Sequence, residues 1–317
     1  MWHLLLLLAG FVLLIYGANL LVDNASSLAK KLNIPPIVIG LTIVGFGTST
    51  PEMVVSVFAA IDNNPDIVLG NIIGSNILNI LVVLGISAIV FPLSVSRNTT
   101  WLEIPLCFLS AVALMVMAND LIIDKSDSST LGRIDGLVML MLFAVFIVYN
   151  INLAITENFE AGLQIRDRSY SVVILLIIAG LVLLIVGGRL IVFSAVKVAT
   201  LIGLSERVIA LTVVAIGTSL PELATSFVAG RKKSIDLAIG NIVGSNIFNV
   251  FFTLGLTAVI KPIRVHPVSN FDMLFNIISS FLLFVIIFIG KGRKLNRWEG
   301  GLFVGIYIVY LTILLVS

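Results

Sequence analysis

The sequence predicts an all-α polytopic membrane protein, ten transmembrane helices built as two inverted-topology five-helix repeats. Three observations lead there. Of 317 residues, 59% are hydrophobic and only 11% charged, and the mean hydropathy is +1.16; soluble globular domains are not composed this way. The apolar runs reach or approach the roughly 20 residues a helix needs to cross a bilayer. The second half of the chain also repeats the first at an offset of 170 residues, without a gap.

The spans are expected near 4–27, 36–61, 66–90, 102–122 and 134–154, then 171–194, 206–230, 236–260, 271–290 and 299–316. The first is read as a retained helix and not a signal peptide. It has no basic leader beyond His3, and its apolar run continues through Gly17 to Val22 without a small-x-small cleavage site. Residues 1–156 form the first repeat and 171–317 the second, joined by a linker at 157–170 whose polar stretch is Glu157–Arg168. Glycines and prolines fall in register: Gly10 on Gly180, Gly17 on Gly187, Pro51 on Pro221, Gly74 on Gly244, Gly85 on Gly255 and Pro92 on Pro262. From Gly40 to Gly85, 21 of 46 aligned positions are identical. Shared Thr, Ser, Pro, Glu and Asn cannot come from apolar bias alone, so the chain is a duplication.

Loop charge orients it. Alternate loops on one side carry Lys30, Lys31, Arg97, Arg166, Arg168, Arg231, Lys232, Lys233, Lys291, Arg293, Lys294 and Arg297, which are twelve of the nineteen basic residues. That side is expected to be cytoplasmic, with both termini outside, in a plasma (inner) membrane. Five spans per half then force the second half to run inverted. Inverted repeats with helices interrupted near the midplane are the architecture of secondary transporters.

Composition also narrows the chemistry. A net charge of +2 makes nucleic acid a poor partner. Cys107 is the single cysteine, and His3 and His266 lie outside the apolar runs. Disulfides, CxxC metal sites and histidine-based catalysis are therefore not expected. Nor is a hydrolase, since Ser49 and Ser219 have no activating base nearby. No cofactor is expected, and no partner beyond membrane lipids and transported ions. Phe248–Phe252, Met115 and Met117 read as packing, and Asp62, Asp66 and Asp236 as solvated loop ends.

What remains is oxygen. The second span carries Gly47-Thr48-Ser49-Thr50-Pro51-Glu52 and the seventh Gly217-Thr218-Ser219-Leu220-Pro221-Glu222. A membrane carboxylate costs about 2.5–3.5 kcal/mol on insertion scales, and two matched copies point to one shared site. Pro51 and Pro221 lack an N–H and should open each helix, freeing carbonyls around Gly45–Thr48 and Ala215–Thr218. The third and eighth spans carry Gly70-Asn71-x-x-Gly74-Ser75-Asn76-x-x-Asn79 and Gly240-Asn241-x-x-Gly244-Ser245-Asn246-x-x-Asn249. Asn71, Ser75 and Asn79 share one stripe, as do Asn241, Ser245 and Asn249. Gly70 and Gly74 form a small-x-x-x-small surface for close helix approach. Asn71 and Asn241, with the two prolines, are candidates for helix packing or gating. Hard cations such as Ca²⁺ suit an all-oxygen donor set, and the formal −2 of Glu52 and Glu222 neutralises one Ca²⁺ or two Na⁺.

At these residues the chain resembles the cation/Ca²⁺ exchanger superfamily, and within it the prokaryotic Na⁺/Ca²⁺ exchangers, across all ten spans. The resemblance implies Ca²⁺ ligands at Glu52, Glu222, Thr48 and Thr218. It implies Na⁺ sites using Ser49, Ser75, Ser219 and Ser245, with backbone oxygens at Gly45 and Ala215, and a central polar role for Asn79 and Asn249. It further implies that the first and sixth spans slide against a fixed bundle. Potassium-dependent relatives carry Asp where this chain has Asn249, so K⁺ dependence is not expected. Asn19 and Arg189 stand where some relatives are acidic. The family's Ca²⁺/H⁺ exchangers use a GNAxE motif, which favours Na⁺ as the coupling ion here. A Ca²⁺/H⁺ antiporter and a passive cation channel are the alternatives.

Overall fold

In the computed structural model, residues 2–95, 99–123, 125, 128–156, 169–201, 215–289 and 293–316 are described. Helix α1 (Trp2–Leu32) leads into α2 (Pro36–Thr48) and α3 (Thr50–Ile61), which meet at a 45° bend. Then come α4 (Pro65–Val90), α5 (Trp101–Met117) and α6 (Arg133–Thr156). The second half follows with α7 (Tyr170–Leu201), a four-residue α8 (Ala215–Thr218), α9 (Leu220–Arg231), α10 (Ile235–Ile260), α11 (Ser269–Ile289) and α12 (Arg297–Val316). Among the described residues, seven helices are long and apolar enough to cross a bilayer, and the bent α2–α3 pair makes an eighth. The expected linker at Glu157–Arg168 and the start of the seventh span, 206–214, fall outside the described residues.

Helices α4 and α10 form the centre. Their apolar windows are 78% and 83% buried, against 33% or less for the other spans. Each becomes π-helical midway, at Asn79–Leu84 and Phe248–Leu254. The extra residue per turn in such a segment re-aims side chains, a feature common at functional sites. Around this centre, Phe46, Phe143, Phe248 and Phe252 pack ring on ring, and Met115 and Met117 rest on the core, as expected.

The halves meet through reciprocal contacts. A Cβ on Gly10 would lie 2.9 Å from the Gly187 carbonyl, and one on Gly17 2.9 Å from the Gly180 carbonyl. Gly10 is the repeat mate of Gly180, and Gly17 of Gly187. The two contacts are therefore one contact seen twice, in antiparallel helices whose backbones nearly touch. The close approach predicted for Gly70 and Gly74 is found at their mates: Cβ atoms on Gly240 and Gly244 would lie 2.7 and 2.5 Å from the carbonyls of Ile37 and Leu41. The described residues put nothing within 4 Å at Gly70 or Gly74.

Two short antiparallel ladders tie the halves at their loops. Strand β1 (Leu93–Ser94) pairs with β4 (Lys294–Leu295), and β2 (Ser129–Leu131) with β3 (Ile263–Val265). These ladders correct the uniform offset of 170. Leu93 pairs with Leu295 while its mate Ile263 pairs with Leu131, so the last span of each half is related by 164. The acidic caps agree: Asp135 accepts from the Gly132 amide and Glu299 from the Asn296 amide. The loop before α6 is six residues longer than its mate, which shifts the register. Asp62 and Asp66 are exposed, as expected, Asp66 with its Oδ1 3.2 Å from His266 Nδ1, whereas Asp236 is not a solvated loop end: it is half-buried in the first turn of α10.

Candidate cation site

The interruption in each motif helix falls at the serine, two residues before the proline. Ser49 (φ −85°, ψ 6°) and Ser219 (φ −89°, ψ 8°) leave helical geometry in nearly the same way. Pro51 and Pro221 then occupy the first turn of the next segment, where a missing N–H costs nothing. Glu52 and Glu222 follow in that first turn, favoured by the helix N-terminal partial charge. The bend therefore brings the hydroxyl and the carboxylate of each motif to the middle of the protein.

The expected site residues converge there. Glu52 and Glu222 are 1% and 0% exposed, and Thr48, Ser49, Ser75, Ser219, Ser245, Asn79 and Asn249 are all buried. Thr218 is half-buried. Ala215 opens α8, and its side-chain surroundings are not described. The motifs cross between halves: Ser49 Oγ donates to Glu222 Oε1 at 3.0 Å. Ser75 and Ser219 approach the Glu52 carboxyl, while Ser49 and Thr48 approach that of Glu222. The two carboxylates are close enough for their charges to repel.

Thr48 Oγ1 reaches Asn241 Oδ1 at 3.1 Å and lies 3.5 Å from Ser245 Oγ. The Gly45 carbonyl accepts from the Ser49 amide at 3.1 Å and from Ser245 Oγ at 3.3 Å. Asn71 donates to the Glu52 carbonyl (3.0 Å) and to Ser56 Oγ (2.9 Å); Asn241 repeats this with the Glu222 carbonyl (3.4 Å) and Ser226 Oγ (2.9 Å). These amides brace the glutamate segments against the neighbouring helix. Ser56 and Ser226 escaped the sequence reading. Their signal was there, because each lies four residues after its glutamate and they match at the repeat offset.

Between α4 and α10, Asn76 and Asn246 exchange bonds with each other's backbone. Asn79 Nδ2 donates to Asn246 Oδ1 and Asn249 Nδ2 to Asn76 Oδ1, both at 3.0 Å. This turns Asn79 Oδ1 and Asn249 Oδ1 loose. Together with Glu52 Oε2 and Glu222 Oε2 they are buried oxygens with no hydrogen-bond partner. Neither carboxylate has a Lys, Arg or His partner among the described residues. Buried acceptors and charges left this way are costly, and a bound cation is one way to relieve that cost. No cluster of three or more His, Cys, Asp or Glu occurs among the described residues. Hydroxyl and amide oxygens must therefore complete any coordination shell, which suits a hard ion held reversibly.

A bent-helix pair, close glycine contacts between helices and buried oxygens contributed by both halves mark a multi-pass membrane protein with a candidate cation site. The chain belongs to the family described as sodium/calcium exchanger protein, whose profile matches residues 2–152 and 172–316. It is 30% identical over 351 residues to the sodium/calcium exchanger MaX1 of Methanosarcina acetivorans, covering 98% of each chain. It is 38% identical over 320 residues to the putative antiporter CaxA of Alkalimonas amylolytica, again over 98% of each, and 35% identical to the inner membrane protein YrbG of Escherichia coli (strain K12), over 98% of this chain and 95% of that one. Among solved structures, the sodium-calcium exchanger NCX_Mj matches with a TM-score of 0.84 and 32% identity over 98% of both chains.

Proposed function

We propose that this protein is a secondary antiporter that exchanges Ca²⁺ for Na⁺ by alternating access around the buried oxygen cage. The observation that carries this reading is the pair of partnerless carboxylate oxygens on Glu52 and Glu222, flanked by partnerless Asn79 and Asn249 amide oxygens. Family membership and the solved exchanger of the same fold support it. In this reading Ca²⁺ binds between Glu52 and Glu222 with oxygens of Thr48 and Thr218. Na⁺ uses Ser49, Ser75, Ser219, Ser245 and the backbone at Gly45 and Ala215. Asn79 and Asn249 hold the centre, and Asn71, Asn241, Pro51 and Pro221 set helix packing and gating. Because the loads share ligands, one leaves before the other is carried.

The full topology belongs to the same proposal: ten spans as two inverted repeats, 1–156 and 171–317, joined by a cytoplasmic linker at 157–170, in the inner membrane with both termini outside. No resident cofactor and no protein partner enter the cycle. The test is radioactive Ca²⁺ uptake into Na⁺-loaded proteoliposomes diluted into Na⁺-free buffer, with the pH gradient clamped. Uptake that needs internal Na⁺ and is lost in both Glu52→Gln and Glu222→Gln is expected. Uptake driven by a pH gradient without Na⁺ would move the protein to proton coupling, and flux that never runs uphill would make it a channel.

A further inference from the structure

The charge on Arg189 has no part in the site described above, yet the fold gives it a position. A cavity of about 530 Å³ lies between α7 and the two helix breaks. Pro51, Pro221 and Thr218 line it from the helix breaks, and Arg189, Phe193 and Lys197 line it from α7. Steps of four put these three residues on one stripe of that helix. Arg189 and Lys197 are exposed, and no acidic side chain lines the cavity among the described residues.

The repeat mates of this stripe on α1 are Asn19, Asp23 and Ser27. Since α1 and α7 are antiparallel, the two stripes belong to opposite ends of the helix pair. One carries two positive charges. The other carries a single negative charge, and Asp23 is held 2.7 Å from Lys232 Nζ of the basic-loop side. Two stripes that the duplication relates thus differ in charge: the acid on α1 is paired with a lysine, while the α7 stripe carries two cations.

We propose that Arg189, seconded by Lys197, is a specificity-determining residue that suppresses Ca²⁺ entry relative to Na⁺ entry from the α7 face. The proposal rests on the exchange reading above. A fixed positive potential lowers an ion's local concentration by a Boltzmann factor whose exponent scales with the ion's charge, so the penalty on a divalent ion is the square of that on a monovalent ion. One charge beside an aqueous path is worth about twofold for Na⁺ and about fourfold for Ca²⁺ at low ionic strength. On this face Na⁺ is admitted while released Ca²⁺ is discouraged from returning. The effect is kinetic and leaves the exchange stoichiometry untouched.

The experiment uses membrane vesicles of both orientations, with kcat/KM for Ca²⁺ and the half-saturating Na⁺ concentration measured at each face. For Arg189→Gln, kcat/KM for Ca²⁺ at the α7 face should rise about fourfold while half-saturating Na⁺ falls about twofold, with both changes fading by about 0.5 M salt. Arg189→Lys should match the wild type, and the opposite face should not respond. Equal factors for both ions, a change insensitive to salt, no change at all, or Arg189→Lys behaving like Arg189→Gln would overturn the proposal. Wild-type protein without Na⁺-dependent Ca²⁺ flux would instead overturn the exchange reading, whatever the substitutions do.

Discussion

Asn76 and Asn246 each hold the other's backbone: the side-chain amide of one donates to the main-chain carbonyl of the other, at 3.1 and 3.2 Å. They are repeat mates, so the bond pair sits on the pseudo-two-fold axis of the molecule. Each also accepts at its Oδ1 from the next asparagine of the opposite half: Asn76 from Asn249 Nδ2 and Asn246 from Asn79 Nδ2. Four amides thus fasten α4 to α10 in the buried centre of the molecule.

Removing one member should loosen that joint. In Asn246→Ala two interhelical bonds are lost outright and Asn76 Nδ2 keeps its acceptor. At about 0.6 kcal/mol per interhelical bond in membrane proteins, a loss of about 1–2 kcal/mol is expected. Thermal unfolding in detergent checks this, and a midpoint equal to wild type would refute the joint.

Ser49→Ala deletes the 3.0 Å bond to Glu222 Oε1. Hydrogen bonds to charged groups contribute about 1.5–3 kcal/mol, so apparent Ca²⁺ affinity should fall at least about tenfold. Ser49→Thr, which restores the hydroxyl, should recover part of the loss. Ca²⁺ titration of the purified protein separates the two.

Gly47 and Gly217 are mates with unequal neighbours. A Cβ on Gly47 would meet Leu181 Cδ2 at 2.5 Å, whereas one on Gly217 would collide with Cγ2 of Val192. Leucine can swing its tip away, but a β-branched valine in a helix has essentially one rotamer. Gly47→Ala should keep most transport, and Gly217→Ala should lose most of it. Adding Val192→Ala to the second should restore flux.

Tyr149 donates a 2.6 Å bond to the fully buried Glu103. Tyr149→Phe should lower stability by about 1–3 kcal/mol and leave the Ca²⁺-to-Na⁺ preference unchanged, because neither residue belongs to the cage. A changed ion preference would mean that α5 and α6 reach the site.

Much of the site was legible because polar residues in apolar runs carry almost no noise. Glu52, Ser49 and Asn79 could be paired with Glu222, Ser219 and Asn249 from the sequence, and the structure buries all six and joins Ser49 to Glu222. The exact point of interruption was less legible. Proline marks a helix start as readily as a break, and here Ser49 and Ser219 take the non-helical angles. The π-helical segments at Asn79–Leu84 and Phe248–Leu254 were not legible, since a local change of winding leaves no mark in a pattern that is apolar on every side. Nor were the ladders, whose two- and three-residue strands are too short for a period to register. The slip from 170 to 164 hid with them, in the loop before α6.

Those ladders also govern the order in which the chain can be completed. Leu93 waits for Leu295 and Leu131 for Ile263, so neither loop of the first half finds its partner until most of the second has been synthesised and inserted. A ribosome halfway through this protein has made α1–α6 and the first strand of each ladder, with neither partner strand yet synthesised. Closure of the two halves onto each other at these loops is therefore a late event in the chain's synthesis.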